Sequence, residues 1–170
     1  KLSAGDDWSF GRGREGNMQR LREWGSESGV DVFEVSAILQ DGIRISSTRI
    51  RKYLEEEDLE AVAETLGRHY SVLGEVVRGR QLGRSIGFPT ANIVVADEVL
   101  PPNGVYVVEG NGIPGVANIG TRPTVDDNRG RSLEVHLFTD DLPMEYGWEL
   151  EVRFLRKIRN EQKFESLEEL

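Results

Sequence analysis

Thr90 and Asn92 stand two residues apart in the segment GRSIGFPTAN (83–92), directly before the apolar run IVV. On a strand, residues two apart share one face, so a hydroxyl and an amide oxygen would lie side by side. Hard neutral oxygens of this kind suit Mg²⁺ when water and nucleotide phosphate take its remaining positions. The alternative is a glycine-rich turn that enters a surface strand with polar outward positions.

The chain before Thr90 is rich in glycine, at positions 79, 83 and 87. Glycine lets a backbone approach a phosphate closely, and successive N–H groups of such a loop can bind an anion. Pro89 has no N–H group, so we expect it at a strand entry or edge. The segment therefore predicts either a phosphate-binding loop or an ordinary hairpin turn.

Glu134 and His136 alternate with apolar residues in LEVHLF (133–138), so they share one strand face. Beside a metal–phosphate site, the Glu134 carboxylate could accept the proton of a substrate hydroxyl. The alternative is a pair of ordinary solvent-facing side chains. His136 and His69 do not have the spacing of a metal site.

The segment ISSTRIR (45–51) predicts a strand that ends at Ile45 and a helix that begins after it. The hydroxyls of Ser46, Ser47 and Thr48 could cap that helix. The same N-terminus, together with Arg49 or Arg51, could instead bind a phosphate. Local chemistry leaves the two interpretations equal.

Two further motifs give weaker evidence of a binding site. GRGREG (11–16) matches the dinucleotide pattern G-x-G-x-x-G, but Lys1–Ala4 is the only candidate for a preceding strand. VANIGTRPT (116–124) places Asn118 and Arg122 in a Gly/Pro-bearing loop after a strand. That loop is either a turn or a lid that contacts substrate.

The composition bounds the function classes. A net charge of −9 argues against a protein that wraps a nucleic-acid backbone, although it permits local phosphate binding. With no cysteine, disulfides, thiolate metal sites and thiol catalysis are excluded, which fits a cytoplasmic protein. The apolar runs are too short to span a membrane.

The predicted secondary structure that must position these residues changes near residue 68, from mixed helix and loop to strands. Before it the sequence predicts mixed helix and loop, with a helix over 18–24 and short strands at 32–35 and 42–46. From Tyr70 onward apolar residues alternate between turn signals, which predicts a small antiparallel barrel or sandwich. We expect strands near 71–78, 90–95, 104–109, 115–119, 132–138 and 148–155, and a helix over 160–170.

In chain order these motifs resemble the bifunctional riboflavin kinase/FMN adenylyltransferase family, the prokaryotic FAD synthetases. GDDWSFGRGREG resembles the family segment Gly-x-Asp-Phe-x-Phe-Gly-x-x-Arg-x-Gly, with Trp8 in place of the first Phe, and ISSTRIR is similar to its adenylyltransferase phosphate-binding motif. LGRHYSVLGEVVRGRQLGRSIGFPTAN resembles the start of the kinase domain. PxGVY, VANIGTRPT, LEVHLF, YG and IRNEQKFESLEEL follow in order, so the resemblance covers nearly the whole chain and replaces the dinucleotide interpretation.

The resemblance implies an α/β plus all-β fold. Residues 1–68 would be the C-terminal part of a Rossmann-like nucleotidyltransferase domain, and residues 69–170 a six-stranded antiparallel Greek-key β-barrel of the riboflavin kinase type with a terminal helix. The implied reaction transfers the γ-phosphoryl group of Mg²⁺-ATP to the 5′-hydroxyl of riboflavin, giving FMN and ADP. In the intact bifunctional protein FMN is also adenylylated to FAD.

The resemblance also implies roles for matching positions. Glu134 would be the base that takes the proton of the ribityl 5′-hydroxyl, and Thr90 and Asn92 would hold Mg²⁺-ATP. Phe88 and Arg122 would neighbour the flavin. The residues that would cover the ATP phosphates of the kinase are Gly79, Gly83, Arg84 and Gly87. Those that would bind phosphate in the adenylyltransferase half are Ser46, Ser47, Thr48 and Arg51.

One departure concerns the adenylyltransferase half, which in the family begins with a His-x-Gly-His motif. Neither His69 nor His136 belongs to such a motif, so we expect a piece of a longer protein that makes FMN but not FAD alone. The expected partners are riboflavin, ATP and FMN, without nucleic acid or membrane, and a homo-oligomer stays open. Two alternatives remain: a non-catalytic flavin-binding or regulatory module, and a nucleotidyltransferase for another substrate.

Overall fold

The computed structural model describes residues 1–79, 89–96, 98–121, 131–139 and 146–162. The chain divides into two compact units, Lys1–Ser46 and Ser47–Leu170. Within the described ranges, no helix has the length and apolar character that a membrane crossing requires.

The first unit contains a parallel strand pair joined by a helix. Its elements are β1 (Leu2–Gly5), a short 3₁₀ turn (Arg12–Arg14), α1 (Met18–Ser28), β2 (Val32–Val35), β3 (Leu39–Gln40) and β4 (Ile43–Arg44). β1 and β2 pair in parallel with α1 between them, a β-α-β unit that fits part of a nucleotidyltransferase domain. The Asn17 side chain caps α1, and Gly29 ends it with a φ of 66°.

The second unit is a closed antiparallel barrel preceded by two helices. Its elements are α2 (Ser47–Glu55), α3 (Leu59–Leu66), β5 (Ser71–Val77), β6 (Ala91–Val94), β7 (Gly104–Gly110), β8 (Ile113–Thr121), β9 (Arg131–Leu137) and β10 (Glu149–Arg159). The strand order around the barrel is β10-β5-β6-β9-β8-β7. β6 lies beside β9 and β7-β8-β9 form a meander, which is a Greek-key order. The six strands predicted from the alternation are confirmed.

The core of the second unit follows from that alternation. Every second residue of β7 and β9 is buried, and the aromatic rings of Tyr106 and Phe154 meet edge to face at 5.5 Å between centroids. Leu54 and Val62, from α2 and α3, join the same cluster. Apolar burial on one face of every strand holds the pleat in one register, because a one-residue slip would expose the core face.

Two predicted boundaries, that between the domains and the start of the last helix, can be compared with the structure. The sequence predicts a domain boundary at residues 68/69, whereas the compact units meet between Ser46 and Ser47 because α2 and α3 pack with the barrel. The boundary at 68/69 stays a prediction. Of the predicted helix over 160–170, the described residues 160–162 are not helical, and residues 163–170 lie outside the described ranges.

The buried Tyr106 hydroxyl predicts a loss of stability at high pH. It donates a hydrogen bond to the Pro102 carbonyl oxygen at 2.6 Å, and burial raises the pKa of Tyr106 to about 12. The unfolded chain loses this proton from about pH 10, so stability should be constant below pH 10 and fall as the pH approaches 12. The stability that the protonated Tyr106 hydroxyl contributes should therefore be lost between about pH 10 and pH 12.

Urea unfolding at pH 8 and at pH 11.5 measures this effect against Tyr106→Phe. The variant should be less stable at pH 8, having lost the hydroxyl's hydrogen bond, and its stability should fall less between the two pH values. If both proteins lost the same amount of stability between pH 8 and pH 11.5, Tyr106 would not be the group responsible for the loss.

Candidate active site

Six residues, one from each barrel strand, form a single cross-strand row. In the five strands other than β10, the row residue is next to buried core residues along its strand, so this part of the row lies on the outer face of the barrel. The successive partners are Val77, Asn92, Glu134, Asn118, Val105 and Arg159. Glu134 is therefore flanked by Asn92 on β6 and by Asn118 on β8, at the separation of direct cross-strand neighbours.

Asn92 is only 5% exposed although it lies on the outer face. Gly79, which follows β5, explains part of this burial, because a Cβ atom at that position would overlap the Asn92 amide group. The backbone at Gly79 thus lies directly against the Asn92 side chain. This is the close approach for which a glycine is required.

His136 holds the chain that enters β6. Its Nδ1 lies 2.8 Å from the carbonyl oxygen of Pro89, so this nitrogen must carry the proton and donate it. Its ring also meets Phe138 edge to face at 5.6 Å. The contact fixes the residue before Thr90, which is half-buried at the start of β6. His136 therefore holds the backbone just before Thr90 in place.

A second polar group lies on the β8 side of Glu134. The Glu161 carboxylate lies over Gly120, where a Cβ atom would collide with it, and Gly120 is two residues from Asn118 on β8. Glu161 Oε2 accepts a hydrogen bond from Asn103 Nδ2 at 3.3 Å.

The amide of Asn103 is itself held in one orientation. Its Oδ1 accepts from Arg131 Nε at 2.9 Å, and its Nδ2 also donates to Thr121 Oγ1 at 2.9 Å. The Arg131 guanidinium donates to the carbonyl oxygens of Leu100 and Pro101 as well. This network ties β9, β8 and the chain before β7 together.

The structure brings some of the predicted site residues together. Gly79, Thr90, Asn92 and Glu134 converge on one part of the outer barrel face. Gly83, Arg84, Gly87, Phe88 and Arg122 lie outside the described residues, so their roles stay predictions. Asn118 is not in a loop, as the sequence suggested, but inside β8, which runs to Thr121. Glu161, Asn103, Gly120 and Arg131 carry no local sequence signal that marks them as site residues.

The predicted phosphate-binding motif of the other half lies at the start of α2. Ser46 precedes the helix, Ser47 and Thr48 are exposed in its first turn, and Arg51 is exposed one turn on. Arg49 contacts Tyr53 instead, with Nε donating to the hydroxyl at 3.0 Å and the guanidinium 5.4 Å from the ring centroid.

GRGREG does not begin a helix. Phe10 and Gly16 form an isolated bridge around it, and α1 begins later, at Met18. The Phe10 ring stacks on Trp8 at 4.7 Å between centroids. The motif therefore neither follows a strand directly nor opens an α-helix, as a dinucleotide-binding loop would.

In the part of the chain that the structure describes, no group of three or more His, Cys, Asp or Glu side chains could hold a metal ion. Thr90 and Asn92 supply neutral oxygens instead. Such a donor set fits Mg²⁺ that arrives with nucleotide phosphate, since Mg²⁺ keeps water and phosphate oxygens among its ligands.

Two protein-family models match parts of this chain. The family model for riboflavin kinase matches residues 66–170, which include the whole barrel and the Asn92–Glu134 pair. The chain belongs to the riboflavin kinase family. A second family model, for FAD synthetase, matches residues 1–49, so the predicted resemblance is confirmed for both halves.

Relatives of this riboflavin kinase family member match along nearly all of it. The bifunctional riboflavin kinase/FMN adenylyltransferase of Escherichia coli K12 is 47% identical over 175 residues, which cover 99% of this chain and 55% of that protein. The protein of the same name from Haemophilus influenzae is 44% identical and covers 99% of this chain and 56% of its own length. The chain thus spans about half the length of the curated relatives it matches.

A solved structure shares the fold. The Streptococcus pneumoniae protein described as a macrolide-efflux protein superposes with a TM-score of 0.73 at 30% identity, covering 96% of this chain and 54% of that one.

The contact between Gly79 and Asn92 yields a prediction. In Gly79→Ala the added methyl group must displace the nearly buried Asn92 amide, so we expect the KM for ATP to rise about tenfold and the unfolding temperature to fall. Steady-state kinetics at varied ATP and a thermal unfolding curve measure the two quantities.

The matched control is the same change in an Asn92→Ala background, where the displaced amide is already absent. Gly79→Ala should then add little to the KM for ATP. An equal further rise in both backgrounds would mean that the glycine acts by another route.

Proposed function

We propose that this chain transfers the γ-phosphoryl group of Mg²⁺-ATP to the 5′-hydroxyl of riboflavin, giving FMN and ADP. The observation that carries the proposal is the cross-strand pairing of Asn92 with Glu134 in the part of the chain that matches riboflavin kinase. It sets a carboxylate beside a buried amide and a glycine backbone, which suits a proton acceptor next to bound phosphate.

Glu134 would act as the general base. Its carboxylate would take the proton of the 5′-hydroxyl as the oxygen attacks the γ-phosphorus, and ADP would leave from the opposite side. Thr90 Oγ1 and Asn92 Oδ1 would hold Mg²⁺, which when bound neutralises charge on the phosphates. Most of the rate enhancement would come from positioning and charge neutralisation, because phosphoryl transfer needs little covalent chemistry from the protein.

The order of the strands supports an assignment of sides. Gly79, Thr90 and Asn92 lie on β5 and β6 or next to them, on one side of Glu134. Asn118 on β8 and Glu161, which lies over Gly120 of the same strand, are on the other side. An in-line transfer puts donor and acceptor on opposite sides of the reacting group. We therefore place ATP on the β5–β6 side and riboflavin on the β8 side.

The remaining predicted roles belong to the same proposal. Gly83, Arg84 and Gly87 would cover the ATP phosphates, and Phe88 and Arg122 would border the flavin. The hydroxyls of Ser46, Ser47 and Thr48, with Arg51, would bind phosphate in the adenylyltransferase reaction of a longer protein, which makes FAD. The proposed domains are 1–68 and 69–170, the proposed location is the cytoplasm, and a homo-oligomer remains open.

Two other functions make different predictions. A flavin-binding module would bind riboflavin tightly and consume no ATP. A nucleotidyltransferase for another substrate would use the α-phosphate of ATP. Asn92 and Glu134 side by side favour the kinase over both, because neither alternative needs a base next to a metal–phosphate site.

Glu134→Gln tests the assigned base. The amide keeps the shape of the side chain but cannot accept the proton, so we expect kcat for FMN formation to fall by about a hundredfold or more. The affinity for ATP should stay nearly unchanged, because Asn92 and Gly79 are untouched. Flavin chromatography measures turnover, and calorimetry measures ATP binding.

Glu75→Gln is the control, since it neutralises an exposed carboxylate on β5 and should leave kcat unchanged. Unchanged turnover in Glu134→Gln, with a folded protein, would remove Glu134 from the role of base.

A further inference from the structure

The turn between α2 and α3 is tied to the end of β10 by one ion pair. Lys157 Nζ donates to Glu57 Oε1 at 2.5 Å and to Asn160 Oδ1 at 2.6 Å. The Lys157 side chain is only 13% exposed. With its side chain this closely covered, the Lys157 ammonium is held in place by these two acceptors, so losing either one frees it to move.

The surroundings of Lys157 leave it little freedom. A Cβ atom at Gly104, where β7 begins, would lie 2.6 Å from Lys157 Cε and 2.7 Å from the Arg159 carbonyl oxygen. The register between β10 and β7 also shifts between Lys157 and Arg159. A shift of this kind bends a strand and redirects the residues after it. Lys157 therefore lies at the point where the direction of the outgoing chain is set.

The chain that leaves this point reaches the β8 side of the candidate active site. Asn160 is held by Lys157, and the next residue, Glu161, accepts from Asn103 and lies over Gly120. Gly120 is two residues along β8 from Asn118, the direct partner of Glu134. A displacement at Lys157 would thus move a carboxylate that borders the proposed acceptor side.

We propose that Glu57 and Lys157 are positioning residues for the riboflavin side of the kinase site. Acting through Asn160, their ion pair sets the path of the chain after β10 and keeps Glu161 over Gly120. The inference rests on the proposed function. It concerns the acceptor side alone, because Gly79 and Asn92 lie on the other side of Glu134.

The test compares Glu57→Gln, Lys157→Met and the charge-swapped pair Glu57→Lys/Lys157→Glu. Each protein is assayed for FMN formation at varied riboflavin and at varied ATP, with riboflavin affinity from flavin fluorescence and thermal unfolding as a check of folding. We expect the KM for riboflavin to rise about tenfold in both single variants, with the KM for ATP within about twofold. The swapped pair should recover part of the lost affinity for riboflavin, since it restores the ion pair but not the hydrogen bond from Lys157 to Asn160.

Glu109→Gln is the matched control. It breaks an ion pair of 3.2 Å with Arg153, which lies on β10 like Lys157 but pairs with β7 away from Glu161. Its KM for riboflavin should stay within about twofold of the starting protein.

Three results would overturn the inference: an unchanged KM for riboflavin in both single variants, an equal rise in the two KM values, or no recovery in the swapped pair. In these cases the starting protein still makes FMN and the proposed function stands. If the starting protein makes no FMN, the proposed function fails and the inference fails with it.

Discussion

The candidate site depends on the pleat of a closed barrel. Because successive residues point to opposite faces, the apolar residues that fill the core force the residues between them outward. Ala91 and Ile93 on β6, with Leu133 and Val135 on β9, are buried, so Asn92 and Glu134 share the outer face. The energy that holds the site together is thus mostly the burial of apolar side chains that never contact a substrate.

Closure of the barrel extends that constraint to residues far apart in the chain. One row crosses all six strands, so Glu134 lies between Asn92 on β6 and Asn118 on β8. Gly79 lies against Asn92 on the first side, and Glu161, which follows β10, lies over Gly120 on the second. The proposed base would thus have distinct surroundings on its two sides, as a transfer between two bound substrates requires.

The sequence was a good guide to what local patterns determine. Alternation is local, so the six strands were predicted within a few residues, and the short polar residues before IVV marked Thr90 and Asn92. The wrong placement of Asn118 has a local cause too: the Gly and Pro that follow it resemble a loop, yet β8 continues to Thr121 because its partner β9 pairs with it that far.

Other parts of the site could not be predicted, because they depend on register and on distant contacts. No local signal brings Glu161 over Gly120, since that contact requires the chain after β10 to reach β8, from which β7 separates it in the closed barrel. Likewise Lys157 and Glu57 are 100 positions apart, and each is of a residue type that is common on protein surfaces. Such contacts follow from the fold as a whole, and only the folded barrel shows them.

The most direct test of the account supplies the chain with riboflavin, Mg²⁺ and ATP labelled at either the γ- or the α-phosphate, and follows the label into flavin. We expect γ-label in FMN, with ADP formed in an equal amount. A folded protein that binds riboflavin but transfers no label, or one that transfers only α-label, would contradict the assignment of this site to phosphoryl transfer.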